Sequence, residues 1–132
     1  MAGLMFLSCG KTLPNNGIPP VNVDFNVYLS NPDNQVLNAI GNWRYFDAVG
    51  SRGIIVYHKD LNEYVVYERH CTYKPENTCG QVKVMIDNVT LLDSCCGSKF
   101  LLYDGSIING PANYPLKAYQ VYYTNDILHI TN

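Results

Sequence analysis

Five cysteines and three histidines are the side chains of this 132-residue chain best suited to hold a metal or exchange electrons. Cys9 stands alone near the start, while Cys71, Cys79, Cys95 and Cys96 share two short loops. Thiols at that density either ligate a metal or pair as disulfides. Cys95 and Cys96 cannot bond each other without strain. One peptide step spans about 3.8 Å, and disulfide-linked Cα atoms are normally about 4.4–6.8 Å apart. Two pairings remain, 71–96 with 79–95 or 71–95 with 79–96. There is no C-x-x-C spacing and no visible cause for a lowered thiol pKa, so thiol redox chemistry at Cys95-Cys96 has little support. His70 adjoins Cys71, but neighbours in an extended segment point to opposite sides. His58 and His129 fall in β-rich runs, where a packed or surface role is expected. No Ser-His-Asp set, phosphate loop or carboxylate pair stands at usable spacing, so the chain alone is not expected to be an enzyme.

The elements that must position these loops are short strands. Apolar residues make up 47% and charged residues 15%, with 11 Tyr, 10 Gly and 7 Pro, which suits a compact, turn-rich β fold and not a disordered chain. The net charge is −2 and the basic residues are scattered, so nucleic acid is not an expected partner. No apolar run approaches the roughly 18 residues that span a bilayer. Val21, Val23, Phe25 and Val27 alternate with Asn22, Asp24, Asn26 and Tyr28 as in a half-buried strand. Asn31-Pro32 opens a short helix with Asn31 as N-cap, Val36, Leu37 and Ile40 on its inner face, and Gly41 at its end.

Residues 53–58 and 63–68 form a hairpin around Asp60-Leu61-Asn62. Three more hairpins flank Asp87-Asn88, Asp104-Gly105 and Asn125-Asp126. Trp43, Tyr45 and Phe46 are read as core or sheet-face aromatics. Asn88-Val89-Thr90 matches a glycosylation pattern but overlaps a tight turn, and is read as chance. Short strands at this spacing predict an all-β sandwich or barrel, with no domain break after residue 22.

The first ten residues, MAGLMFLSCG, place Ser8-Cys9 after an apolar stretch. This resembles the lipobox of bacterial lipoproteins, in which the Cys is lipidated and the preceding peptide removed. The stretch is short for a signal peptide and has no Lys or Arg before it. Residues 10–22 are rich in Gly, Pro and Asn and read as a tether. Residues 1–22 are thus expected to be a truncated lipoprotein signal and tether, and residues 23–132 the folded domain. With Cys9 lipidated, an even number of cysteines remains for an oxidising compartment.

The second cysteine loop and its sequel, DSCCGSKFLLYDGSIINGPANYPLKAY, resemble the Rieske iron–sulfur family. Gly97-Ser98, Phe100, Asp104-Gly105, Gly110-Pro111-Ala112, Pro115-Leu116 and Tyr119 fall in register with that family's stretch. YERHCTY resembles its first ligand loop, with Cys71 as the Cys. The resemblance covers about residues 40–130. It implies two small antiparallel sheets with an inserted loop-rich subdomain at the tip, about residues 69–115. It also implies that Cys79 and Cys95 match the extra cysteines that pair beside the cluster in some members, and that Ser98 and residues 110–112 pack over the site.

The ligand positions depart from the family. A Rieske [2Fe–2S] centre has two Cys on one iron and two His on the other. The matching positions here are Cys71, Tyr73, Asp93 and Cys96, of which only Cys71 agrees. The leading expectation is therefore a cell-envelope lipoprotein module of Rieske fold without a cofactor. It would be anchored to the membrane at Cys9, stapled by Cys79–Cys95 and by Cys71–Cys96 across the vacated site, and would bind an envelope protein. The alternative is an electron-transfer protein holding a [2Fe–2S] cluster with variant ligands. A third reading is a mononuclear site from Cys71, Asp93, Cys96 and either His70 or Tyr73, a mixed set that zinc accepts.

Overall fold

The computed structural model describes residues 17–132; Cys9 and the lipobox-like segment lie outside the described residues. The described chain is nearly all β. In chain order it comprises β1 (Asp24–Tyr28), a 3-10 helix (Pro32–Asn38), β2 (Trp43–Phe46), β3 (Ile54–Asp60), β4 (Glu63–Glu68), β5 (Val82–Val84), β6 (Thr90–Asp93), β7 (Lys99–Leu101), β8 (Ile107–Asn109), β9 (Ala118–Thr124) and β10 (Ile127–Thr131). Two antiparallel sheets result: a six-stranded base sheet in the order β1-β10-β9-β4-β3-β2 and a four-stranded sheet in the order β5-β6-β7-β8. The second sheet is inserted between β4 and β9, as the resemblance implies.

The hairpins form where the turn residues allow them. Asn62, Asn88, Asn125 and Asp126 adopt positive φ, a region in which Asn and Asp are tolerated better than other non-glycine residues. Gly105 also has positive φ, at +76°, and a Cβ there would lie 2.8 Å from the Tyr67 ring, so Asp104-Gly105 needs its glycine twice over.

The helix differs from the sequence expectation. It is capped by the Asn31 side chain, which accepts from the Asp33 N–H at 2.9 Å, but it winds with three residues per turn. Positions three apart then share a face, so Asn34 and Leu37 are buried while Val36 and Ile40 are exposed. The helix also stops at Asn38, before Gly41.

Two cores meet on the β3–β4 hairpin. Ile54 and Val56 face the base core with Val27, Leu37, Val66, Leu128 and Ile130. Ile55 and Tyr57 face a second core with Tyr67, Cys71, Val82, Leu91, Phe100 and Leu102. Alternation along a strand sends odd and even residues to opposite faces, and here both faces are covered. Before β1, Ile18 is fully buried and the Val21 carbonyl accepts from Asn132 Nδ2 at 2.8 Å, so the last residues of the stretch read as a tether lie on the domain.

Candidate functional site

β4 ends in Glu68, and the chain then runs through Arg69, His70 and Cys71 into the first cysteine loop. Glu68 is fully buried and anchors this exit. Its Oε1 accepts from the Ser51 N–H at 2.7 Å and the Tyr119 hydroxyl at 2.7 Å. Its Oε2 accepts from the Arg52 N–H at 2.8 Å and the His70 N–H at 3.0 Å. A carboxylate so satisfied is the condition for burying a charge. Arg52 spans the loop's far side, donating from Nη1 to the Gly80 carbonyl at 2.9 Å. The Cys71 N–H donates to the same carbonyl at 3.0 Å.

The second cysteine loop is the tight connection from β6 to β7. The Gly97 N–H donates to the Asp93 carbonyl at 2.7 Å and the Asp93 N–H to the Ser98 carbonyl at 2.9 Å. Asp93, the last residue of β6, is buried, and its Oδ1 accepts from the Cys95 N–H at 2.8 Å. The two loops are joined by the disulfide Cys79–Cys95. That is the pairing the family resemblance implies, and it removes the 71–95 with 79–96 alternative.

The expected second bridge, Cys71–Cys96, is not formed, and both residues carry free thiols. The Asp93 carboxylate gives each thiol another partner. Cys96 Sγ lies 3.2 Å from Asp93 Oδ2, and Cys71 also hydrogen-bonds Asp93. Cys71 Sγ, Cys96 Sγ and an Asp93 carboxylate oxygen all lie within 4.8 Å of one another. Burial pushes the Cys71 thiol far up from its ordinary value, and the hydrogen bond to Asp93 adds to this. A bound dication would invert that logic, because it favours the thiolate.

Backbone N–H groups and the Ser98 hydroxyl surround the sulfurs. The Tyr73 N–H lies 3.4 Å from Cys71 Sγ, and the Ser98 N–H lies 3.4 Å from Cys96 Sγ. Ser98 Oγ sits 3.1 Å from Cys96 Sγ and accepts from the Ala112 N–H at 3.0 Å. With the thiol protonated, Cys96 can donate to this hydroxyl; with a thiolate, the hydroxyl proton can turn to the sulfur. Ser98 and the loop carrying Ala112 therefore pack over the site as expected. Sequence reasoning missed Gly80, whose Cα carries no side chain between Cys71 Cβ, Asp93 Oδ2 and Arg52 Nη1; a Cβ there would lie 3.4–3.5 Å from all three. A glycine in a loop gives no such signal on its own.

None of the three histidines reaches the site. His70 Nδ1 lies 2.8 Å from Ser51 Oγ and Nε2 lies 2.6 Å from the Pro75 carbonyl, so both ring nitrogens are engaged elsewhere. His58 is buried, bonded to the Leu37 carbonyl at 2.8 Å and stacked on Tyr64 with ring centroids 4.1 Å apart. His129 is exposed and pairs with Asp24 at 2.7 Å. A Rieske cluster takes two imidazoles on one iron. The residues at the matching positions, Tyr73, Asp93 and Cys96 beside Cys71, do not supply that donor set.

Among solved structures, the chain is similar to the cyanobacterial plasma membrane Rieske protein PetC3 from Synechocystis PCC 6803. The TM-score is 0.56 at 18% identity, covering 86% of this chain and 100% of that one. It is also similar to the ferredoxin of carbazole 1,9a-dioxygenase from Nocardioides aromaticivorans IC177, with a TM-score of 0.51 at 14% identity over 85% of this chain and 98% of that one. No protein-family model and no curated protein matches the sequence. The fold and its inserted sheet define a Rieske-like domain. Its tip carries one disulfide and a half-site of two free thiols and a carboxylate.

Proposed function

We propose that this chain is a cell-envelope lipoprotein module of Rieske fold that lacks the ordinary [2Fe–2S] cluster and serves in binding or assembly. The observation that carries this reading is the donor set. Every histidine among the described residues is committed elsewhere, and the two His positions hold Tyr73 and Cys96. The Cys79–Cys95 disulfide ties the two loops that a cluster would otherwise hold, and it fits an oxidising compartment. Lipidation at Cys9 and the segment after it would hang the domain from a membrane. Ile86, Ile108 and Tyr114 of the inserted region are exposed apolar side chains available to a protein partner.

The test is anaerobic purification of the full chain after export in a bacterium, followed by iron, acid-labile sulfide and visible absorption. A colourless protein without iron is expected. Two irons and two sulfides per chain would overturn the reading in favour of an electron-transfer protein with variant ligands. That second reading draws on Cys71, the one position that keeps the family's ligand, and on the Rieske-like fold. Fractionation tests the anchor: the wild-type chain is expected with membranes and Cys9→Ser in the soluble fraction. A soluble wild type would remove the lipid from the proposal.

A further inference from the structure

We infer that Cys71, Asp93 and Cys96 form a mononuclear site for a soft divalent cation, zinc being the fitting one, with the fourth position left to water. The inference rests on the reading that the ordinary cluster is absent and names the ligand of that same site. Three observations carry it.

The first is convergence. The two sulfurs and a carboxylate oxygen lie within 4.8 Å of one another. Zn–S bonds of about 2.3 Å make the edge of a tetrahedron about 3.8 Å, so an inward movement of ~1 Å or less closes three ligands on one ion. Ligands on the far ends of a two-iron core do not converge in this way. The second is chemistry. Two thiolates and a carboxylate suit zinc, which accepts mixed sulfur and oxygen sets with three protein ligands and one open position. Cys96 is partly exposed, which leaves water a route to that position.

The third is the surrounding shell. Metal-bound thiolates need hydrogen-bond donors that orient them and spread their charge. Here the Tyr73 N–H faces one sulfur, and the Ser98 N–H and hydroxyl face the other. The carboxylate oxygen Oδ1 is held by the Cys95 N–H, which fixes the direction of Oδ2. Cys95 is itself locked in the disulfide, so it orients Asp93 and does not compete for the ion. His70, with both ring nitrogens engaged, is excluded as the fourth ligand.

The test uses the full chain in a Cys9→Ser background, purified anaerobically, stripped with chelator and titrated with zinc chloride. One zinc per chain is expected. Stoichiometry should fall to near zero in Cys71→Ser/Cys96→Ser. In Ser98→Ala the ligands stay in place and zinc affinity should fall about 10–100-fold. Cobalt(II) added to the unmutated site should give thiolate-to-cobalt charge-transfer absorption, a readout that does not depend on any variant folding. No zinc uptake by a folded protein with two titratable thiols would overturn the inference and leave the cluster-free module standing. Two irons per chain would overturn both.

Discussion

At the residue scale, the carboxylate that matters most to the fold is Glu68, and the sequence gives it no mark. A Glu closing an alternating strand reads as a solvent-facing end, yet this one is buried and accepts four hydrogen bonds. Glu68→Gln would turn an amide NH2, in either orientation, toward at least one backbone N–H that can only donate. Leaving buried donors unmatched costs about 1–3 kcal/mol each, so the variant should lose roughly 2–4 kcal/mol in urea melts. Tyr119→Phe removes one donor to that charge and should cost about 1–2 kcal/mol. Tyr67→Phe makes the opposing control. The Tyr67 hydroxyl is buried without a partner among the described residues, so its removal should be neutral or stabilising. If Tyr67→Phe destabilised as much as Tyr119→Phe, the assignment of Glu68 as the hub would fail. Gly50 belongs to the same group. Its φ is +78° and a Cβ would lie 2.5 Å from Glu68 Oε1, so Gly50→Ala should destabilise as well.

Two exposed carboxylates tie stability to pH. Hydrogen bonding holds Asp87 below its ordinary value of 3.8, chiefly through the Val89 N–H and then the Thr90 hydroxyl. Asp104 is lowered chiefly by the Ser106 hydroxyl and then by the Ser106 N–H. A depressed carboxylate stabilises the fold fully above its unfolded value, and that support is lost as pH falls through the folded value. The Val89, Thr90 and Ser106 amides should therefore lose hydrogen-exchange protection as acid is taken below 3.8. Unchanged protection in that window would mean the two side chains do not hold their turns.

At the element scale, the hairpins were legible because their turns demand particular residues. Asn125-Asp126 has φ of +52° and +61°, the geometry of a primed two-residue turn, and this is a local requirement visible in two letters. Asp126→Gly should relieve the strained position and raise stability by about 0.5–1 kcal/mol, read as a rise of several degrees in Tm. The helix was legible in its start but not in its pitch. Asn31 and Pro32 cap a 3-10 turn as well as an α turn, and only packing decides that Asn34 points inward. The grouping of Cys71, Asp93 and Cys96 was legible through the in-register Gly, Pro and Ser residues around them. The state of Cys71 and Cys96 was not, because spacing allows a bridge and does not show that the Asp93 carboxylate sits beside both thiols. The Cys79–Cys95 bond closes a loop of 16 residues, which corresponds to about 3 kcal/mol of restrained unfolded chain. Cys79→Ser/Cys95→Ser should lose about that much stability. Residues 72–79 and 94–97 should lose exchange protection first, and β3 last.

At the scale of the whole molecule, β3 and β4 serve two cores at once. The core under the inserted sheet therefore shares β3 and β4 with the base core, and a change at the tip need not stay there. Cys71 lies within the second core, whereas Cys96 only packs against it. Cys96→Ala should then be tolerated, while Cys71→Ala, which leaves a void in a close-packed interior, should destabilise more. Equal melting temperatures for the two variants would contradict this division.

The base sheet also closes on the two ends of the described chain. β1 pairs with β10, Asp24 opposite Thr131 and Tyr28 opposite Ile127, and the Val23 N–H reaches Asn132 Oδ1. No segment emerging in order from a ribosome or a secretion channel can complete that pairing until the last strand is free. Until then the hydrogen-bonding edge of β1 has no neighbouring strand. It also makes β10 the strand whose pairing joins β1 to the rest of the base sheet.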